Sequence, residues 1–366
     1  MKKILSVLLA TVLVFSLVAC GTKKQNEIKK ETKKEEKKAS IKIDPKKSDK
    51  DFKGKLAGMV TDTGGVDDES FNQSAWKGLQ KLKKDTGAEV TYIQSDQDSD
   101  YLPNLNRLVD KNVDVAWGIG FLLANQVEMA AQQSPDKNFA IIDYAYEKTQ
   151  PNLTGVVFKA QEPSYLVGYI AANTTKTNKV GFVGGKKGVI IDQFDYGFRA
   201  GVKDAAKELG KKIEVIVQYA DSFSDEAKGK SIATKIFNGG ADVVFHAAGG
   251  AGKGVIEAAK ETNKFAIGVD QDQSRLAPKN VLTSALKRVD VAIYDVTNKI
   301  LSGEKIGGKT LVYSSKEAAV GIPDHTDKSL YPKELHEKAM QKQKDIIDGK
   351  IVPPFNEETW NKYKAN

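Results

Sequence analysis

Three observations predict an α/β fold of two similar Rossmann-like lobes, each a parallel sheet, joined by a hinge. Short β-branched runs alternate with longer amphipathic ones from Lys55 to Ala285, the pattern of parallel sheets covered on both faces. The second half of the chain also echoes the first. "FNQSAWKGLQKLKKDTGAEVTYIQSD" from Phe71 matches "FDYGFRAGVKDAAKELGKKIEVIVQYAD" from Phe194, which pairs Gly78 with Gly201 and Gly87 with Gly210 at one constant offset. Further on, "VDVAWGIGFLLANQVEMAAQQSPDKNFAIIDYA" aligns with "ADVVFHAAGGAGKGVIEAAKETNKFAIGVDQDQ", so that equivalent strands end in Asp143 and Asp270.

Strands are expected at Lys55–Val60, Glu89–Gln94, Val113–Ile119, Phe139–Tyr144 and Leu153–Phe158 in the first half. The second half offers Lys179–Val183, Ile213–Gln218, Asp242–His246, Phe265–Val269 and Val281–Ala285. Between them, Asn72–Thr86, Pro103–Lys111, Phe121–Gln133, Tyr196–Leu209, Asp225–Phe237 and Lys253–Thr262 read as helices, with stop signals at Gly87, Gly210 and Gly239-Gly240. The lobes are divided near residues 174–179. Residues 56–175 and 280–320 are assigned to the first lobe, and 176–280 and 320–366 to the second.

The N-terminal segment is of another kind. Lys2 and Lys3 precede an apolar run from Ile4 to Ala19, closing in Leu17-Val18-Ala19-Cys20-Gly21. A positive start, an apolar middle and small residues at the cut describe a secretory signal peptide over 1–19. Cys20 is the only cysteine in the 366-residue chain, which excludes an internal disulfide, and its context resembles a bacterial lipobox, where the thiol carries fatty acid. A cell-membrane location on the extracytoplasmic face, with the bilayer held through Cys20, is therefore expected. Residues 20–55 then form a Lys-rich tether: 21–55 hold fourteen Lys against seven Asp or Glu, with too little apolar surface to offset the entropy of ordering. With that +7 and the two leader lysines set aside, residues 56–366 carry −1 of the chain's +8. The basic character thus belongs to the tether and gives no argument for nucleic acid as a partner.

In open parallel sheets, ligands sit beyond the carboxyl ends of the strands. Two such lobes face to face surround one cleft, an arrangement that closes by a hinge. The first lobe brings Asp62, Phe71, Asn72, Gly118, Gly120 and Asp143 to it. The second brings Gly184, Phe194, Phe198, Phe223, Ala248, Gly249, Gly250 and Asp270, with Lys287 just beyond a strand. Ionised carboxylates only accept hydrogen bonds, so they suit hydroxyl and N–H groups, and aromatic rings clamp a flat face. Only Arg107, Arg199, Arg275 and Arg288 occur in the chain, whereas phosphate or carboxylate ligands draw bidentate arginine. The expected ligand is neutral, planar in part and rich in hydroxyls: a nucleoside or, failing that, a sugar.

Several of these residues admit plainer roles. Phe198 and Phe223 could be core aromatics, Asp67, Asp68 and Glu69 could cap a helix, the Asp143/Asp270 pair could serve a turn, and Lys287 could pair with Asp270 or Asp290. Enzymatic signatures are missing: His246, His325 and His336 lack metal-ligand spacing, and Gly118-Ile119-Gly120 lacks the third glycine of a dinucleotide loop. No catalysis and no cofactor are expected.

"TDTGGVDDESFNQSAWKGL", the lipobox, "KVGFVGG", "YADSFSDEAKGK", "FHAAGGAGKGVIEAA" and "AIGVDQDQ" together resemble the basic membrane protein family over roughly residues 55–350. The resemblance implies a type I periplasmic-binding-protein fold and a lipid-anchored solute receptor of an ABC importer, partnered by a membrane permease. It further implies that Phe71 and a second-lobe ring, Phe223 with Phe194 or Phe198 nearby, sandwich a nucleoside base. Asn72 and Asp143 would bond the base, Asp270, Lys287 and the backbone near Gly249 the ribose, and Asp62 would lead the loop. A sugar-binding or signalling receptor on the same scaffold, and a surface adhesin, are the alternatives.

Overall fold

A computed structural model describes residues 47–365; the signal peptide, Cys20 and most of the tether lie outside the described residues. Two six-stranded sheets organise the chain. The first contains β1 (Leu56–Val60), β2 (Glu89–Ile93), β3 (Val115–Ile119), β4 (Asn138–Ile142), β5 (Leu153–Phe158) and β11 (Lys309–Tyr313), in the order β11-β5-β4-β3-β1-β2. The second contains β6 (Lys179–Gly184), β7 (Glu214–Tyr219), β8 (Val243–Ala247), β9 (Phe265–Asp270), β10 (Val281–Lys287) and β12 (Val320–Gly321), in the order β12-β10-β9-β8-β6-β7. Read from the β2 and β7 edges, each has the 2-1-3-4-5 order of doubly wound sheets, whose ligand site lies where the order reverses. All ten expected strands are present. The strands β11 and β12, one parallel and one antiparallel, were not foreseen.

Both faces of each sheet are covered. Met59, Trp117 and Ile142 face one core of the first lobe and Val60, Ala116 and Ile141 the other, so consecutive residues point to opposite sides. This is why the strands read as continuous apolar runs. In the second lobe Phe182 and Phe245 face one core, and Val183 and Val244 the other. Helix α1 (Phe71–Thr86) closes at Gly87 (φ 76°) and its counterpart α5 (Val189–Leu209) at Gly210 (φ 63°), left-handed positions that glycine takes without steric cost. The remaining helices are α2 (Tyr101–Asp110), α3 (Ala124–Gln133), α4 (Gln161–Thr174), α6 (Glu226–Asn238), α7 (Ala251–Glu261), α8 (Val289–Leu301), α9 (Lys333–Ile347) and α10 (Glu357–Ala365).

The lobe boundaries need correction. The chain leaves the first sheet at Phe158, and α4 packs in the second lobe's core with Phe182, so the crossing precedes the expected 174–179. Strand β10 pairs with β9, which puts Val281–Lys287 in the second lobe and not in the first. The chain recrosses before α8, which packs beside Trp117, and crosses a third time between β11 and β12. Hydrophobic periodicity identifies these elements but cannot say which sheet receives them, because both sheets present the same kind of surface.

Candidate functional site

The carboxyl ends of the two sheets face one another across a narrow cleft, which holds about 50 Å³ of free space in this shut form. Asp62, Phe71, Asn72 and Asp143 line it from the first lobe. Phe194, Phe223, Gly249, Asp270 and Lys287 line it from the second. Gly118, Gly184, Ala248 and Gly250 fall outside this lining, and of the fifteen residues expected at the cleft ten, Gly120 included, are thus brought together. Phe198 is not: it is fully buried in the second-lobe core between Phe182 and Phe245, with ring centroids 6.4 and 5.3 Å away.

The first-lobe wall is a preformed polar network. Asp68 accepts from the backbone N–H of Ser70, Asn72 and Gln73 at 2.8–3.0 Å, which satisfies the first turn of α1. The helix-capping role expected of it holds, and Asp68 also forms part of the cleft wall. Asn72 Nδ2 donates to Asp62 at 2.8 Å and to Asp68 at 3.2 Å, while the Gly64 N–H donates to Asp62. With its amide nitrogen committed to two carboxylates, Asn72 presents only its Oδ1, which is buried without a partner. Asp143 Oδ1 is buried and unpartnered as well.

Each strand-end aspartate is met from the opposite lobe. Lys287 forms an ion pair with Asp143, and Ser70 donates to Asp270. Lys287 is 2% exposed and lies over the rings of Phe71 (4.6 Å) and Phe158 (5.3 Å), so its charge is held by one carboxylate and aromatic faces. The pairings with Asp270 or Asp290 considered from sequence give way to Asp143. Both aspartates have left-handed backbones, φ 68° and 64°, a conformation uncommon for any residue but glycine and tolerated best by Asn and Asp.

Burial raises the pKa of all four carboxyls, because it disfavours the charged form. It pushes Asp68 to about 7 and Asp270 to about 6. Burial also raises Asp62, opposed by Asn72 and the Gly64 N–H, and Asp143, opposed by Lys287.

The second-lobe wall is mostly apolar: Ile190, Ile191, Phe194, Phe223 and Val269. A Cβ on Gly185 would come within 2.1 Å of the Phe223 ring, so only glycine lets that ring lie against the end of β6. Phe223 meets Phe121 of the first lobe edge to face, centroids 6.2 Å apart. Phe121, Ile190 and Ile191 were missed from sequence. Helix α5 starts at Val189, well before the expected Tyr196, because burial of Ile190 and Ile191 outweighs the weak helix propensity of a β-branched run.

The two lobes belong to one compact unit and touch along the cleft mouth. Arg275 pairs with Glu69, Gln271 Nε2 donates to Gln73 at 2.9 Å, and Lys77 donates to Gln271 at 2.5 Å. Among the described residues, no group of three potential metal-ligating side chains occurs and no helix is long and apolar enough to cross a membrane.

The family model for ABC transporter substrate-binding proteins of the PnrA-like kind, Bmp, matches residues 55–356. The chain belongs to the Bmp family. Members of the Bmp family are extracytoplasmic solute-binding proteins associated with ABC importers, and they bind rather than catalyse. The CD4+ T-cell-stimulating antigen of Listeria monocytogenes is 41% identical over 329 residues, covering 84% of this chain and 89% of that protein. The ABC transporter nucleoside-binding protein BmpA of Lactococcus lactis is 40% identical over 323 residues, covering 81% and 88%. Among solved structures, an ABC transporter solute-binding protein from Aeropyrum pernix superposes with a TM-score of 0.75 at 26% identity, covering 85% of this chain and 98% of that one. The two-lobed fold expected from the repeat is therefore that of solute-binding proteins.

Proposed function

We propose that this Bmp-family chain is a lipid-anchored receptor that binds nucleosides, purine nucleosides above all, in the interlobe cleft and hands them to an ABC permease. One observation carries the reading: the cleft's single lysine is already neutralised by Asp143, while Asn72 Oδ1 and Asp143 Oδ1 remain open as buried acceptors. A buried acceptor without a partner is costly, so the site favours a neutral ligand that brings N–H or O–H donors. The rings of Phe71, Phe194 and Phe223 suit the flat face of a base. On this reading Asn72 and Asp143 meet the base, Asp270, Lys287 and the backbone near Gly249 meet the ribose, and Asp62 holds Asn72 in orientation. The nucleoside-binding relative in Lactococcus lactis supports the same ligand class. Closure stores the selectivity, since a ligand shifts a conformational equilibrium only by its difference in affinity for the two states.

Cys20 is proposed as the lipidated residue, which would hold the protein at the extracytoplasmic face. Metabolic labelling with a palmitate analogue should mark the wild-type chain and leave Cys20→Ser unmarked. Calorimetric titration with adenosine, guanosine, inosine, cytidine and common sugars tests the ligand class. Binding of sugars but of no nucleoside would replace the reading with the sugar-receptor alternative.

A further inference from the structure

Gln273 closes "AIGVDQDQ" and His246 sits in "FHAAGG", yet neither lines the cleft. Both are buried, Gln273 at 1% exposure and His246 at none. The Val269 N–H donates to Gln273 Oε1 at 3.0 Å. A backbone N–H can only donate, so the amide atom facing it is the oxygen. His246 Nε2 lies 2.9 Å from that same oxygen and must therefore carry the proton. Burial holds the imidazole down at about 4, so the ring is neutral and has that one N–H to give. With its oxygen held twice, the amide turns its nitrogen outward and donates to the Glu69 backbone carbonyl of the first lobe at 2.9 Å. A carbonyl can only accept, so both ends fix the same orientation. The Gln273 N–H bonds to Ser284 Oγ at 3.1 Å and anchors the backbone.

We infer that Gln273, oriented by the buried His246, is a positioning residue that fastens the second lobe to the Glu69 carbonyl and so holds Ser70 and Phe71 in place when the cleft is shut. Glu69 has a positive φ of 56°, a conformation that persists where its surroundings impose it. The next two residues are the donor to Asp270 and the ring beneath Lys287. The fastening therefore grips the chain at the point from which the cleft is built. It rests on the reading that the cleft opens and shuts around a solute, and adds the group that sets the lifetime of the shut form.

The cleanest variant is Gln273→Glu. Burial raises such a carboxyl, so release is followed from pH 6 to 9: once ionised, the side chain still accepts from Val269 and His246 but has no proton for Glu69. Gln273→Met, which loses both sides, and His246→Phe, which releases the amide, accompany it. Spin labels at Lys84→Cys and Lys235→Cys in the full chain carrying Cys20→Ser report the interlobe distance with and without inosine, and stopped-flow mixing with inosine gives the rates. Gln273→Glu should shift the distances toward the longer population and speed inosine release about tenfold, the worth of one hydrogen bond. Association should stay as in wild type, and the faster release should grow as the new carboxyl of that variant ionises, a pH profile that a merely structural role would not produce. His246→Phe should reproduce the shift; a wild-type distribution there would remove His246 from the inference. Unchanged distances and release in Gln273→Glu, or a wild type that never shows the short distance, would overturn it. A wild type that reaches the short distance yet binds no nucleoside would sink the ligand reading and leave the fastening standing.

Discussion

The two lobes share strand order, helix positions and strand-end aspartates, yet they furnish the cleft differently. The first lobe brings a hydrogen-bonded lattice of Asp62, Asn72 and Asp68, already oriented. The second brings Ile190, Ile191, Phe194 and Phe223, with Asp270 and Lys287 as its charged groups. Even the equivalent aspartates part ways, since Asp143 is met by an ammonium and Asp270 by a hydroxyl. A duplicated scaffold has kept its backbone geometry and divided its chemistry. On the proposed reading the polar half chooses the hydrogen-bonding pattern, and the apolar half supplies the area that makes closure favourable.

The largest test of that division is Lys287→Met, which strips the cation from Asp143. Leaving one member of a buried pair alone should cost about 3–5 kcal/mol of stability in urea unfolding, and adding Asp143→Asn should recover most of it. Phe198→Ala should cost a similar ~3–5 kcal/mol by opening a core cavity, while calorimetry shows unchanged nucleoside affinity. A loss of affinity there would move Phe198 back to the cleft. Asp270→Ala should weaken nucleoside binding by about 2–4 kcal/mol through unpaired hydroxyl contacts; an unaltered isotherm would make Asp270 a turn residue only. Phe223→Ala should cost about 1 kcal/mol of affinity.

A further test reads Asp270 through pH. Asp270 has its pKa raised in the fold to about 6 from an ordinary 3.8, so the folded chain holds its proton more tightly than the unfolded one. Its contribution is then fully present below about pH 4 and is lost as pH rises through about 6. Asp270→Asn should flatten the decline of stability across that window, by at most about 1.4 kcal/mol per pH unit, and should raise stability at neutral pH. Urea melts from pH 4 to 8 on both proteins would show whether the slope changes.

Much of this was legible in the residues. Strands buried on both faces are written as continuous β-branched runs, and the echo of Phe71 in Phe194 and of Asp143 in Asp270 placed two sheets around one cleft. What escaped depends on contacts distant in sequence. The crossings after Phe158 and Lys287 follow from which sheet edge accepts a strand, and no local pattern encodes that choice. Phe194 and Phe198 lie four residues apart, about one turn of a single helix, and both are buried aromatics. Both rings touch Phe245, but Phe198 also packs on Phe182 in the core whereas Phe194 reaches the cleft. The role of Asp68 as cap was readable from its place before a helix, whereas its place in the wall required the opposite lobe.

The left-handed backbones at Asp143 and Asp270 make shape and chemistry separable at the two positions that matter most. Glycine adopts φ near +65° more readily than aspartate does, so Asp270→Gly would keep the turn that ends β9 while deleting its carboxylate. A receptor blinded in that way would retain the surface of the natural protein. It could then stand beside the wild type wherever recognition of the molecule by other proteins has to be told apart from capture of its solute.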